Sequence, residues 1–342
     1  MTDKMVLKVA RKVLPKAVRE FAAGNLSLLA QRFEGAGFTL ALPAPGILHI
    51  KAAGPAGRAS VVLSAGVHGD ETAPIELLAL LLEELTAREL KVDLMLCVGN
   101  LAAIAAGKRF IDADLNRMFR AKRGALAHAV EAERADAISA ATLAFFNGAG
   151  ALRWHFDLHT AIRTSLFSTF AIVPELIAPD GKQALFQWLG QGGIGAMVMN
   201  AHASGTYATF SALNCGAMAA TVELGRVAAL GQNDLGQFDG ARLALLDLLR
   251  GGQPQAASNA VNVAPQRFRV VQEIIKMSDD FRFAFDAGTP NFSVLPKGAL
   301  IASDGAARHT VGPEPELVLF PNPDVKIGLR AALMVAPLAA GE

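Results

Sequence analysis

Residues 61–76 constrain the fold of this chain more than any other stretch. They begin as a short apolar run with β-branched residues, which predicts a buried strand. Glycines then break the pattern, and Thr72 is the expected N-cap of an apolar helix predicted from Ala73 to Leu85. His68 and Glu71 therefore lie on a loop between the carboxyl end of a strand and a helix. Open α/β sheets place their ligand sites at such loops.

His68 and Glu71 are separated by two residues, a spacing at which both side chains can bind one cation. Two ligands do not make a metal site, and this short motif alone is more typical of a surface loop. His159 is the candidate third ligand because it follows the next strong strand, and parallel strands end at one edge of a sheet. Asp157 lies on the same side of that strand and could fix the tautomer of a ligand histidine. The alternative for His159 is a hydrogen-bonded core histidine.

Two histidines and one glutamate leave a zinc ion one coordination position for water, which is the arrangement of a catalytic site. Such a site also needs a carboxylate that moves protons. Glu223 is the candidate because it lies at the end of an apolar strand, where a carboxylate is costly unless it is paired or functional. The alternative is a salt bridge between Glu223 and Arg226.

A charged cluster occupies residues 108–117. A guanidinium beside a metal can stabilise the negative charge that develops on an amide oxygen during hydrolysis. Arginine also binds carboxylates in a planar, bidentate manner. Arg109, Asn116 and Arg117 could meet both needs, and the alternative is a solvated loop with internal salt bridges.

Strands and helices alternate along most of the chain, which predicts an α/β fold with a mainly parallel mixed sheet flanked by helices. The Gly-, Pro- and Gln-containing segment that follows Arg250 indicates a boundary between residues 1–252, the catalytic domain, and residues 253–342, a small all-β domain. Within the first domain we expect helix over 1–35 with a break near Gly24, and a long helix over 126–146. Residues 101–123 are expected to be irregular.

Composition excludes several classes of protein. The net charge of +1 over 342 residues argues against a nucleic-acid partner, and no apolar stretch is long enough for a membrane span. The basic N-terminal segment lacks a continuous apolar core, so we interpret it as a surface helix rather than a secretory signal. Cys97 and Cys215 lie in apolar surroundings and are expected to be reduced, which favours a cytoplasmic protein.

Several motifs together resemble those of the succinylglutamate desuccinylase/aspartoacylase family. They are GVHGDETAP at 66–74, DLNRMF at 114–119, DLHTAIR at 157–163, VELG at 222–225 and LFPNP at 319–323. These motifs follow the order of the family and cover most of the chain. DLHTAIR and the closing LFPNP are more similar to the desuccinylase branch than to aspartoacylases.

The resemblance implies a zinc-carboxypeptidase-like α/β domain followed by a small β domain, with one zinc ion per subunit. The implied reaction is hydrolysis of the amide bond of N-succinyl-L-glutamate, which is the last step of the succinyltransferase route of arginine catabolism. The implied roles are zinc binding by His68, Glu71 and His159, general base catalysis by Glu223, carbonyl polarisation by Arg109, and carboxylate binding by Asn116 and Arg117.

One departure concerns substrate binding. Family members often carry a substrate-binding arginine about ten residues before the base, and this chain has Leu213 there. Because succinylglutamate has three carboxylates, another cation must replace it, and Arg163 and Arg226 are the candidates. The aspartoacylase-type tyrosine of the C-terminal domain is also missing, since Tyr207 is the only tyrosine.

Alternatives to this function remain open. They are an aspartoacylase, a zinc carboxypeptidase, and a non-catalytic protein that binds a small carboxylate. The C-terminal β domain could also serve to form a homo-oligomer.

Overall fold

The computed structural model describes residues 14–52, 58–202, 204–252 and 264–338. The helices among these residues are α1 (Lys16–Ala22), α2 (Ser27–Glu34), α3 (Ala73–Glu84), α4 (Leu101–Ala106), α5 (Glu131–Phe146), α6 (Pro179–Gln191), α7 (Tyr207–Cys215) and α8 (Asp239–Leu249). The strands are β1 (Phe38–Ala44), β2 (Ile47–Ala52), β3 (Ser60–Ala65), β4 (Asp93–Val98), β5 (Arg153–Ala161), β6 (Thr169–Pro174), β7 (Ala196–Asn200), β8 (Met218–Arg226), β9 (Gln266–Ile275), β10 (Arg282–Phe283), β11 (Ser293–Leu295), β12 (Leu300–Asp304), β13 (Ala307–Thr310), β14 (Glu316–Leu319) and β15 (Arg330–Pro337).

One mixed sheet forms the centre of the protein. Its strand order is β1-β2-β4-β3-β5-β8-β6-β7-β9-β15-β14-β11. The neighbouring strands β4, β3, β5 and β8 are all parallel, and β6 is antiparallel to β8. β3 and all but the first residue of β5 are buried, as expected for strands in the middle of such a sheet. The predicted fold class, a mixed α/β sheet with an all-β C-terminal region, is confirmed.

The C-terminal strands extend this sheet instead of forming a separate layer. β9 pairs with β7 in parallel, and β15, β14 and β11 follow in antiparallel order. A second sheet of β10, β12 and β13 packs with β15 around a small apolar core of its own. The domain boundary at residue 252 stays a prediction, because residues 253–263 lie outside the described chain.

Strand register explains why distant residues meet at one edge. Ala65 at the end of β3 lies opposite Leu158 of β5, and His159 of β5 lies opposite Glu223 of β8. The loop that follows β3 and the last residues of β5 and β8 therefore share the carboxyl edge of the sheet. This edge is where the sequence placed the ligand site.

The loop after β3 packs directly on the start of α4. A Cβ atom at Gly69 would lie 2.2 Å from the backbone carbon of Ala103, so only glycine allows this approach. The side chain of Asn100 caps α4 by accepting from the backbone N–H of Ala103. The expectation that residues 101–123 are irregular was therefore wrong at its start, where an alanine-rich run forms a capped helix.

Other boundaries differ in smaller ways. The N-terminal helix is broken near Gly24, which has a φ of 68°, as predicted; the part of that prediction on residues 1–13 lies outside the described chain. The long helix predicted from residue 126 begins at Glu131, after a 3-10 turn at Gly124–His128. Thr72 occupies the N-cap position of α3, but its hydroxyl donates to the carbonyl of Ala228 instead of capping the helix.

Both cysteines belong to the apolar core. Cys97 and Cys215 are buried and free, and burial raises the pKa of their thiols to about 12 and about 11. They are reduced core residues, as expected. Within the described ranges, no helix has the length and apolar character that crossing a membrane requires.

Candidate active site

The side chains of His68, Glu71 and His159 converge at the carboxyl edge of the sheet. Their potential ligand atoms lie within 4.8 Å of one another, and all three residues are buried. The centroids of the two imidazole rings are 5.0 Å apart. The structure therefore brings together the three predicted ligands, and two imidazoles with one carboxylate are a donor set that suits zinc.

Each histidine directs its Nδ1 atom toward Glu71. His68 Nδ1 lies 2.8 Å from Glu71 Oε1, and His159 Nδ1 lies 2.8 Å from Glu71 Oε2. The opposite nitrogens face outer carboxylates, with His68 Nε2 2.8 Å from Asp114 Oδ1 and His159 Nε2 2.9 Å from Asp157 Oδ2. A carboxylate outside the cluster that accepts a hydrogen bond from Nε2–H fixes the orientation of the ring, so that Nδ1 faces the centre of the cluster. Metal-binding histidines are usually held in place by such a hydrogen bond.

The electrostatics of this cluster favour positive charge at its centre. Burial opposes charge on His159, but Asp157 and Glu71 outweigh it and hold the pKa of His159 well above its ordinary value. Burial likewise opposes charge on Glu71, yet His68 and His159 hold its pKa well below the ordinary range. A divalent cation bound to the inward-facing atoms would supply the same positive charge, so the donor set fits a metal.

Asp157 is held in turn by a buried chain of hydrogen bonds. Ser64 Oγ donates to Asp157 Oδ1 at 2.6 Å and lies 3.0 Å from His155 Nε2. His155 Nδ1 lies 2.6 Å from Ser211 Oγ. The predicted contact between Asp157 and His159 is present. The role of Ser64 was missed, because strand alternation tells which face a residue occupies and not which strand lies beside it.

Glu223 lies beside the cluster, opposite His159 in the β5–β8 register. It is buried and lines the same cavity. Burial, and then the negative charge of Glu71, raise the pKa of Glu223 to about 7. Among the described residues no ion pair joins Glu223 to Arg226, so the salt-bridge alternative finds no support.

The charged loop after α4 surrounds the cluster. Arg109 Nη1 donates to Glu71 Oε1 at 2.6 Å. Arg117 Nη1 donates to the carbonyl of Asn116 at 2.9 Å, and its Nη2 lies 3.8 Å from Asp114 Oδ2. The side-chain oxygen of Asn116 accepts from the backbone N–H of Tyr207. Arg109, Asn116 and Arg117, the three candidates from this loop, all line the cavity.

This cavity has a volume of about 580 Å³. Arg163 lines it and donates to the carbonyl of Ala287. Arg226, the other candidate replacement for the missing family arginine, is not among the lining residues, and Leu213 is exposed on α7. The C-terminal region supplies much of one wall, which sequence reasoning missed; its polar and charged lining residues include Asn291, Asn322, Asp324, Lys326 and Arg330.

Glu131 at the start of α5 fixes the charged loop. Its carboxylate accepts from the backbone N–H groups of Ile111, Asp112 and Ala113, at 2.6 to 3.3 Å. Asn100 Nδ2 also donates to it at 3.2 Å. These donors outweigh burial and lower the pKa of Glu131. The carboxylate therefore stabilises the folded loop above its ordinary pKa, and this stabilisation is lost as the pH falls through the lowered value.

We expect Glu131→Gln to loosen the loop that carries Arg109 and Arg117. Because hydrogen bonds to a charged group contribute about 1.5–3 kcal/mol, the free energy of unfolding should fall by about 1–3 kcal/mol and KM should rise several-fold. Chemical denaturation and steady-state kinetics measure the two effects. Glu133→Gln, an exposed change on the same helix, is the matched control. Unchanged KM and stability in the Glu131 variant would contradict this role.

Comparison with known proteins shows which family the chain belongs to. A model of the succinylglutamate desuccinylase/aspartoacylase catalytic domain matches residues 58–249. The chain belongs to the succinylglutamate desuccinylase/aspartoacylase family. The AstE/AspA barrel-sandwich hybrid domain matches residues 263–338, so this family accounts for the C-terminal region as well. The resemblance inferred from the motifs is confirmed.

Curated relatives in this family are similar over most of the chain. Succinylglutamate desuccinylase of Burkholderia cenocepacia is 43% identical over 289 residues, which are 83% of this chain and 83% of that protein. The protein of the same name from Burkholderia lata is 44% identical over 282 residues, 81% of this chain and 79% of its own. The family's catalytic domain and these relatives confirm that the chain is an enzyme, a hydrolase, and not merely a carboxylate-binding protein.

Solved structures of the family share the fold. Succinylglutamate desuccinylase from Vibrio cholerae superposes with a TM-score of 0.81 at 33% identity, covering 88% of each chain. The protein from Vibrio parahaemolyticus gives a TM-score of 0.80 at 32% identity, covering 89% of each chain. The family fold therefore extends over both the central sheet and the C-terminal strands.

Proposed function

We propose that this family member is a zinc-dependent amidohydrolase that converts N-succinyl-L-glutamate and water to succinate and L-glutamate. The observation that carries the proposal is the convergence of His68, Glu71 and His159 beside the buried carboxylate of Glu223. The names of the curated relatives support the substrate. The reaction would complete the succinyltransferase route of arginine catabolism, in the cytoplasm.

His68, Glu71 and His159 would hold one zinc ion per subunit. When bound, zinc would supply Lewis acidity and a water of much lowered pKa. Asp114 and Asp157 would keep the two rings oriented by accepting from their Nε2–H groups.

Glu223 is the proposed general base and acid. It would accept a proton from the attacking water and return it to the leaving amine of glutamate. A pKa near 7 suits both halves of this task, because the ideal pKa of such a group lies near the working pH. Its position opposite His159 keeps it beside the ligand cluster.

Arg109 is the proposed donor to the developing oxyanion. Its guanidinium is held at the cluster by the hydrogen bond from Nη1 to Glu71, and it has five N–H donors in all. Stabilisation by a pre-placed donor is greatest where water is excluded, and Glu71, to which Arg109 donates, is buried.

Asn116, Arg117 and Arg163 are the proposed carboxylate-binding residues. All three line the cavity. Arg117 lies close to the ligand cluster, because its guanidinium is 3.8 Å from Asp114 and Asp114 contacts His68. An arginine pairs with a carboxylate through two parallel hydrogen bonds, which suits a substrate with several carboxylates.

Hydrolysis assays with and without metal test the proposal. We expect the purified protein to hydrolyse N-succinyl-L-glutamate, to lose this activity with a chelator, and to regain it when zinc is returned. N-succinyl-L-arginine, N-acetyl-L-aspartate and a hippuryl peptide should be much poorer substrates. Preference for N-acetyl-L-aspartate or the peptide would favour an aspartoacylase or a carboxypeptidase. Activity that resists complete removal of metal would refute the zinc mechanism.

A further inference from the structure

Arg330 enters the active-site cavity from the C-terminal region. It is the first residue of β15, and its side chain is 14% exposed. In the part of the chain that the structure describes, its ion pair is with Glu273. Arg330 Nη1 lies 3.7 Å from Glu273 Oε1, which is longer than an ordinary hydrogen bond. A mostly buried guanidinium with such a distant partner has unused capacity to bind an anion.

Arg330 also lies within electrostatic reach of Arg117. Burial and then the positive charge of Arg117 lower the pKa of Arg330 to about 10, against the smaller effects of Glu273 and Asp114. Two neighbouring guanidinium groups repel each other, and an anion bound between them stabilises both. This pair therefore marks a side of the cavity that favours a negatively charged ligand.

A second observation on the same wall points to a polar ligand. Asn291 lines the cavity and is 1% exposed, and its Nδ2 donor has no hydrogen-bond partner within the described chain. Its Oδ1 atom accepts from the backbone N–H of Phe320 at 2.8 Å, which fixes the amide so that nitrogen is the unpaired end. A buried donor without a partner is costly, and a bound acceptor would remove that cost.

We propose that Arg330 is a specificity-determining residue that binds one carboxylate of the glutamate half of the substrate while Arg117 binds the other. The inference rests on the proposed hydrolysis of N-succinyl-L-glutamate. The α- and γ-carboxylates of glutamate are joined by a short chain, so two neighbouring arginines on one side of the cavity can each bind one. Arg330 would thereby replace the family arginine whose position is occupied by Leu213.

The first test compares Arg330→Gln with Glu273→Gln. If Arg330 binds substrate, its loss should raise KM for N-succinyl-L-glutamate about 10- to 100-fold, which is the usual contribution of a charge-assisted hydrogen bond to binding. The change in kcat should be smaller. Glu273→Gln removes the ion-pair partner but keeps the cation, so its KM should change little. If Arg330 serves only to pair with Glu273, both variants should show the same modest effects, and the proposal would be wrong.

Substrate analogues then show whether Arg330 binds the glutamate half or the succinyl half of the substrate. The wild type should prefer N-succinyl-L-glutamate over N-succinyl-L-glutamine and N-succinyl-L-isoglutamine, each of which lacks one glutamate charge, and over N-butyryl-L-glutamate, which lacks the succinyl charge. Arg330→Gln should lose the preference over one of the two amides and keep the preference over the butyryl compound. Loss of the butyryl preference instead, or of none, would overturn the assignment.

Two further measurements keep the outcome clear. Arg330→Lys retains the charge and most of the buried stem but cannot form a bidentate pair, so it should show a smaller loss in the same direction. It decides the question if Arg330→Gln does not fold. A wild type that does not hydrolyse N-succinyl-L-glutamate would refute the proposed function. An active wild type, together with unchanged analogue preferences in Arg330→Gln and Arg330→Lys, would refute only this inference.

Discussion

Replacing Glu223 with Gln is expected to lower kcat by about 10²- to 10⁴-fold, the usual contribution of a general acid–base residue. Glutamine has nearly the same shape but cannot accept a proton from water or return it to the leaving amine. Glu223 is not one of the three clustered ligands, so the variant should keep its metal. Steady-state kinetics with N-succinyl-L-glutamate and elemental analysis of the same sample measure both expectations.

The control for this experiment is Glu133→Gln, which removes an exposed carboxylate from α5 and should leave kcat and metal content unchanged. An active Glu223→Gln enzyme with normal kcat would remove Glu223 from the mechanism. Loss of metal together with activity would instead show that Glu223 supports the metal site and would contradict the separation of roles proposed above.

His159→Ala is expected to abolish both metal binding and turnover. His159 is buried between Glu71 and Asp157, and alanine would leave both carboxylates without the imidazole that neutralises them. His68 and Glu71 would remain as two ligands, whereas a catalytic zinc site needs three protein ligands. Metal per chain, measured by elemental analysis after gel filtration, should fall from about one to nearly zero.

A graded comparison separates the ligand from its support. Asp157→Asn keeps all three proposed ligands and should weaken metal binding by about 10- to 100-fold, less than the loss of His159 itself. His128→Ala, a change at an exposed histidine, should have no effect. Stoichiometric zinc in the His159→Ala protein would refute the assignment of His159 as a ligand.

Local patterns predicted the elements that carry the ligand cluster. An apolar run followed by glycines located β3, and the apolar stretch after it located α3 to within one residue of its observed end. Prediction failed where the local signal was mixed. Leu101–Ala106 forms a helix of only six residues, which is stabilised by the side-chain cap of Asn100. The charged cluster that follows it made the whole segment resemble an irregular loop.

Residues that act from other parts of the chain were also missed. The sequence pattern places Glu131 within the long helix predicted over 126–146, yet its carboxylate accepts from three backbone N–H groups of the arginine-bearing loop. The apolar pattern indicates only that Ser64 belongs to a strand, although its hydroxyl donates to Asp157 on the neighbouring strand. Both contacts depend on which elements become neighbours, and residue spacing does not encode that.

The sequence by itself determined the α/β class and the edge of the sheet at which His68, Glu71, His159 and Glu223 lie. It could do so because parallel strands end on one side of a sheet. The tertiary structure then made β3, β5 and β8 neighbours, which brings these residues together. Only the tertiary structure decided which cations complete the cavity. Arg330 reaches it because β9 pairs with β7 and β15 with β9, and this order arises from packing across the whole sheet, which no local pattern records.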